Sequence, residues 1–290
     1  MSQERLEASL DIDRLPSLEI VRIISAQDQL VAEAVASESL RIAQAIDAVA
    51  DRLRNRGRLF YVGAGTSGRI AMLDASELHP TFGIDRSMVQ VIIAGGEGAY
   101  LEAAEGAEDR EDEAISAIES KVRPEDAVIG IAASGSTPFT IAAIRRANLN
   151  GALTVGITSV PGSPLSRECD IPIVIVTGPE VIMGSSRMKS GTAQKMVLNI
   201  LSTGVMIQLG TVYSNLMVSM PPTNAKLQSR AVQMIELAAG TDRKTAASVF
   251  QTSGGRVKES ILMIRRNLTK EQARELLISC KDNLREALER

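Results

Sequence analysis

Two short stretches carry residue types suited to holding an anion. GAGTSGR, residues 63–69, follows the apolar run Leu59-Phe60-Tyr61-Val62. SGSTP, residues 134–138, follows a second apolar run, AVIGIAA. Glycines let backbone N–H groups converge on an anion, and a helix N-terminus adds partial positive charge. Gly65, Thr66 and Ser67 in the first turn, with Ser134, Ser136 and Thr137 in the second, are therefore candidate phosphate ligands. Pro138 suits the first turn of a following helix. The glycines at 63, 65 and 68 also spell GxGxxG. A dinucleotide site would want an acidic residue closing the second strand. Here that strand ends Ala94-Gly95-Gly96, with Glu97 only after the turn, and the lysine of a P-loop is missing. Taken singly, each turn is equally a capped strand-to-helix connection. As a pair at neighbouring strand ends, they fit the phosphate monoester of a small molecule better than a dinucleotide.

Other charged residues are ambiguous by themselves. Glu77 reads as a solvated glutamate near a helix end, and Glu108 as part of the solvated acidic run EGAEDREDE. Arg187 and Lys189, in GSSRMK, come just after the fifth apolar run, near the carboxyl edge of a sheet. They could hold a phosphate or a carboxylate, or equally make an interface salt bridge. His79 is the single histidine, and Cys169 and Cys280 are far apart, so no metal-ligand cluster and no disulfide framework is visible.

The elements that must position these residues follow from periodicity. Ile42, Ile46, Val49 and Leu53 share one helix face, and Gly57 is a plausible helix stop. Pro16 with Ser17 and Glu19 marks an earlier helix start. RLFYV (58–62), VQVIIA (89–94), AVIGIAA (127–133), LTVGIT (153–158) and IPIVIV (171–176) are near-continuous apolar runs. Such runs suit parallel strands covered on both faces. Helices are expected at 68–77, 98–120 and 138–149, and one long helix over 188–213. The alternation predicts an α/β fold, a five-stranded parallel doubly wound sheet, with N-terminal helices and a small helical C-terminal subdomain. The expected division is a helical segment over 1–57 packing on the core, an α/β domain carrying the candidate phosphate turns over 58–222 and a helical subdomain over 223–290. Two short helices of that subdomain meet at Ser253-Gly254-Gly255.

Composition narrows the function classes. Among 290 residues the net charge is −3 without a basic block, which argues against nucleic acid as the main partner. Aromatics are 2% with no Trp, so stacking platforms are scarce. The polar, acidic N-terminus is no signal peptide, and the most apolar stretch, 196–206, is too short and too polar to span a membrane. A cytoplasmic protein with reduced cysteines is expected.

Several motifs in order add a resemblance. GAGTSGR continues into IAMLDASELHPTFG (70–83), EGAEDREDEA (105–114) lies downstream, GPEVIMGSSRMKSGTAQKMVLN (178–199) follows the last strand, and NAKL (224–227) comes later. Together they closely resemble N-acetylmuramic acid 6-phosphate etherases, of the sugar isomerase (SIS) domain superfamily, from roughly residue 15 to the C-terminus. Leu78-His79 stands where that family more often has Cys-Pro. The resemblance implies a SIS fold, a homodimer without metal or organic cofactor, and cleavage of a lactyl ether from a phosphosugar. It implies catalytic roles for Glu77, as acid, and Glu108, as base. An aldose–ketose isomerase, or a sugar-phosphate sensor without turnover, would share the phosphate turns.

Overall fold

The computed structural model describes residues 4–102 and 104–290. The chain divides into two compact units: one runs up to Ala75 and resumes as Arg86–Thr203, the other comprises Ser76–Asp85 and Gly204–Arg290.

The first unit opens with helices α1 (Ser17–Ala36) and α2 (Ser39–Arg54). Pro16 is the N-cap of α1, as its fixed φ favours. The left-handed residue ending α2 is Arg56, with φ 68°, rather than Gly57. Five strands follow: β1 (Leu59–Gly63), β2 (Val89–Ile93), β3 (Ala127–Ile131), β4 (Leu153–Thr158) and β5 (Ile171–Val174). All pair in parallel, in the order β2-β1-β3-β4-β5. Every residue of β1 and β3 is buried, which explains their unbroken apolar runs. Alternate residues face opposite layers. Phe60, Val62 and Val128 join the core with helices α4 (Glu111–Lys121) and α5 (Pro138–Leu149). Tyr61 turns the other way, and its hydroxyl donates to Asp74 of helix α3 (Gly65–Phe82) at 3.0 Å. The short helix α6 (Pro164–Glu168) precedes β5, and α7 (Lys189–Gln208) follows it.

Three expected helices change length. The one predicted over 68–77 is α3, which begins at Gly65 and runs past Pro80 to Phe82. Gly83, with φ 66°, closes it by donating its N–H to His79 O at 2.9 Å. The one predicted over 98–120 is helical only from Glu111. Gly95, Gly96 and Gly106 adopt φ of 85°, 71° and 66°, so the described residues before it form a loop with two short 3-10 turns, Glu97–Tyr100 and Ala107–Asp109, while residue 103 of the predicted helix lies outside the described residues. The long helix predicted over 188–213 stops at Gln208, ahead of Gly210 with φ 75°.

The second unit contains helices α8 (Ala225–Ala239), α9 (Arg243–Thr252), α10 (Val257–Arg266), α11 (Lys270–Ser279) and α12 (Leu284–Glu289) around their own core, which includes Ile235, Phe250, Ile261 and Leu277. Their starts are specified by local capping: Asn224 accepts from Leu227 N at 2.9 Å, and Thr269 with Gln272 forms a capping box. The joint between α9 and α10 falls at Ser253-Gly254-Gly255, as expected. Lys258, 7% exposed, reaches Asp282 Oδ2 at 2.7 Å and Gly210 O at 3.1 Å. Among the described residues no helix is long and apolar enough to cross a membrane.

Candidate functional site

The strand order reverses at β1, with β2 laid on one side of it and β3 on the other, so the switch point falls between β1 and β3. Ligands of open α/β sheets bind at the carboxyl ends of strands flanking such a switch point. Both predicted anion turns are there: residues 63–69 leave β1 and enter α3, and residues 134–137 follow β3 and enter α5.

In the first turn Gly65 is exposed, with φ 54°, and opens α3. A Cβ on Gly68 would come within 2.6 Å of Ile93 Cγ1 on β2 and displace that side chain, so α3 lies directly against the sheet. Thr66 is half-buried. Ser67 is 9% exposed, and its Oγ donates to Gln194 Oε1 of α7 at 3.0 Å. The starts of α3 and α7 are adjacent: a Cβ on Gly191 would lie 3.9 Å from Thr66 Cγ2.

The second turn is tighter. Gly135 adopts φ 63°, and a Cβ there would collide with Ser163 Oγ and Thr158 Oγ1. Leu165 N donates to Gly135 O at 2.9 Å. Ser136 is exposed, and its Oγ and N both donate to Ser134 Oγ, at 2.9 and 3.2 Å. Thr137 is the N-cap of α5, yet its hydroxyl makes no capping bond.

Glu108 belongs to the same unit as these turns. It is exposed and lines a cleft of about 330 Å³ with Ala64, Gly65, Arg69, Glu105 and Gly106. Arg69 draws its loop there: Nε donates to Ala99 O at 3.1 Å and Nη2 to Glu102 O at 3.0 Å. The structure thus brings Glu108 to the first anion turn. Glu77 lies in the second unit, exposed near the end of α3. The residue after it, Leu78, is buried, and His79 Nδ1 lies 2.6 Å from Ile84 O.

Arg187 is exposed. Lys189 is 1% exposed, and its Nζ donates to Gln27 Oε1 of α1 at 2.9 Å. Burial lowers its pKa, against the opposing pull of Glu180 and Asp28. The buried Glu180 accepts from Lys189 N at 3.0 Å and Ser190 N at 2.9 Å, capping α7 with a carboxylate. Asp74, on the buried face of α3, accepts from Tyr61 Oη, from Asn199 Nδ2 at 2.7 Å and from Ser202 Oγ at 3.1 Å. Burial raises its pKa, and those three hydrogen bonds only partly offset it. Arg69, Gln194 and Asp74 were not singled out from sequence, and Glu180 was noted only as a neighbour of Arg187 and Lys189 with its role open. Their partners are 30 or more residues away or depend on burial, and only the quoted motifs containing them pointed their way.

Among the described residues no group of His, Cys, Asp and Glu could hold a metal ion. Two family models match: the N-terminal SIS domain of glucokinase regulatory protein over residues 41–148, and the SIS domain over residues 107–203. A solved phosphoheptose isomerase from Francisella tularensis shares the fold, with a TM-score of 0.54 and 19% identity over 67% of this chain and all of that one. An N-acetylmuramic acid 6-phosphate etherase of Symbiobacterium thermophilum is 53% identical over 91% of this chain and 88% of its own. One from Salmonella schwarzengrund is 46% identical over 100% of this chain and 98% of its own. At that identity and coverage, with the SIS sheet and its two switch-point turns in place, the chain belongs to the N-acetylmuramic acid 6-phosphate etherase family.

Proposed function

We propose that this protein cleaves the D-lactyl ether of N-acetylmuramic acid 6-phosphate, giving N-acetylglucosamine 6-phosphate and D-lactate. The observation that carries the reading is the convergence, in one unit, of two hydroxyl-bearing turns at the switch point with the cleft that holds Glu108. The phosphate is assigned to Gly65, Thr66 and Ser67 on one side and to Ser134, Ser136 and Thr137 on the other. Arg187, exposed at the start of α7, is assigned to an anionic group of the substrate, the lactyl carboxylate or the phosphate. Lys189 supports that segment from within, through Gln27.

An alkyl ether resists direct hydrolysis, but in the open-chain sugar the C3 ether lies β to the C1 aldehyde. Glu108 takes the C2 proton that the aldehyde acidifies, and an enolate forms. Its electron pair returns to make the C2–C3 double bond as the C3–O bond breaks. Glu77 protonates the departing lactate oxygen. Water then adds, its oxygen to C3 and a proton to C2. The aldehyde is the electron sink, so the protein's task is one base, one acid and stabilisation of the developing oxyanion. Two carboxyl groups fill the first two roles if their surroundings hold them in opposite protonation states.

The pathway is recycling of cell-wall amino sugars in the cytoplasm, and the working form is a homodimer. Leu18 and Val21, three residues apart on one face of α1, are 60% and 57% exposed, an apolar surface that a second copy would cover. The direct test is incubation with N-acetylmuramic acid 6-phosphate and an assay for D-lactate. Ketose formation without lactate would instead mark an isomerase, and tight phosphosugar binding without turnover a sensor.

A further inference from the structure

Gln194 lies in the first two turns of α7, 2% exposed, with its carboxamide against the first turn of α3. Its Oε1 accepts the Ser67 hydroxyl proton at 3.0 Å. Its Nε2 is buried and makes no hydrogen bond. A buried N–H without an acceptor is costly, more so than an under-used carbonyl. Ser67, meanwhile, has one proton to give. In this arrangement that proton goes to Gln194, and the hydroxyl turns only lone pairs toward an anion at the α3 N-terminus.

A half-turn of the carboxamide reverses both conditions. Nε2 would then donate to Ser67 Oγ, ending its own lack of a partner. The Ser67 proton would be released toward the anion, strengthened as a donor because its oxygen now accepts a hydrogen bond. We propose that Gln194 is a positioning residue for the substrate phosphate, setting the direction of the Ser67 hydroxyl by which face of its carboxamide meets Oγ. This rests on the assignment of phosphate to the α3 turn. It adds to that assignment a group on another helix that acts only through Ser67.

The test is a double-mutant cycle, with KM for N-acetylmuramic acid 6-phosphate and competitive inhibition by inorganic phosphate as readouts. Loss of a hydrogen bond to a charged group predicts a rise in both constants of about thirtyfold for Ser67→Ala and about tenfold for Gln194→Met. The loss should fall on KM rather than kcat. In the Ser67→Ala background, Gln194→Met should add nothing. Gln194→Glu keeps the shape but presents an acceptor where the N–H is needed, so it should bind phosphate worse than Gln194→Met. A Gln194→Met effect that persists undiminished without Ser67 overturns the proposal, and so does parental KM in Gln194→Glu. If Gln194→Glu does not fold, the Ser67 cycle decides alone. A silent Ser67→Ala would overturn the phosphate assignment itself. Weakened Ser67→Ala beside silent Gln194→Met would overturn only the role of Gln194.

Discussion

The two strand-end turns and the loop over residues 97–110 share one unit but are held in different ways. The turns are fixed by covalent geometry and close packing: Gly68 against Ile93, and Gly135 against Ser163 and Thr158. The loop is mostly exposed, and Arg69 holds it through two bonds to backbone carbonyls. The proposed phosphate site is therefore part of the frame, whereas the proposed base sits on a mostly exposed loop anchored by Arg69 and by the buried Ala107. Affinity and turnover should be separable by mutation.

The largest effect is expected at the carboxylates. Glu108→Gln should lower kcat about a thousandfold while inorganic phosphate still inhibits. Glu77→Gln should release little lactate yet continue to exchange the C2 proton with solvent, read by deuterium incorporation. Lactate release at the parental rate from that variant would remove Glu77 from the acid role. Next comes the tether. Arg69→Met should lower kcat about a hundredfold by letting Glu108 drift, with a far smaller change in inhibition by phosphate. A parallel fall in both would mean that the loop and the turns form one structure, and the contrast would dissolve.

Gly135→Ala attacks the frame instead. A left-handed residue with no room for Cβ predicts a loss of about 2 kcal/mol in urea unfolding, together with a raised KM. Stability equal to the parent would show that the second turn is not rigid. The smallest effect is expected at Asp74. Its folded pKa lies above the ordinary carboxylate value, so the fold favours its protonated form. That contribution is present at low pH and is lost as pH rises through the raised pKa. Asp74→Asn, which keeps an acceptor for Asn199 and Ser202, should melt no lower than the parent at neutral pH. Its relative advantage should shrink on acidification. An advantage that grows with acid would reverse the sign of the argument.

The sheet was legible because its strands are buried on both faces. Runs such as LTVGIT carry no polar alternation, and β4 occupies the predicted residues 153–158. Helix α5 also matches, over 138–149, because Pro138 and Asn150 punctuate it locally. The segment 98–110 was misread as helix: its Glu and Ala favour one, but the backbone turns at Gly95, Gly96 and Gly106 prevent it. The anion turns could be read from glycine and hydroxyl spacing. Arg69 with Ala99, or Ser67 with Gln194 127 positions away, could not, since pairing across the fold leaves no periodic trace. Glu108 drew its significance from resemblance alone, because an exposed glutamate in an acidic run has no local mark of function.

One consequence concerns the carboxylate of Glu180. The starts of α3 and α7 are neighbours, and each ends in amide groups that would welcome a negative charge. A sugar with a phosphate at one end and a carboxylate at the other could dock on such a pair in either direction. Glu180, bound to two amides of α7, is an anion the protein supplies to itself, and it closes one of the two addresses permanently. On the proposed assignment of the phosphate to the α3 turn, the orientation of the substrate would then be set partly by subtraction, with the start of α7 already occupied by the chain's own carboxylate.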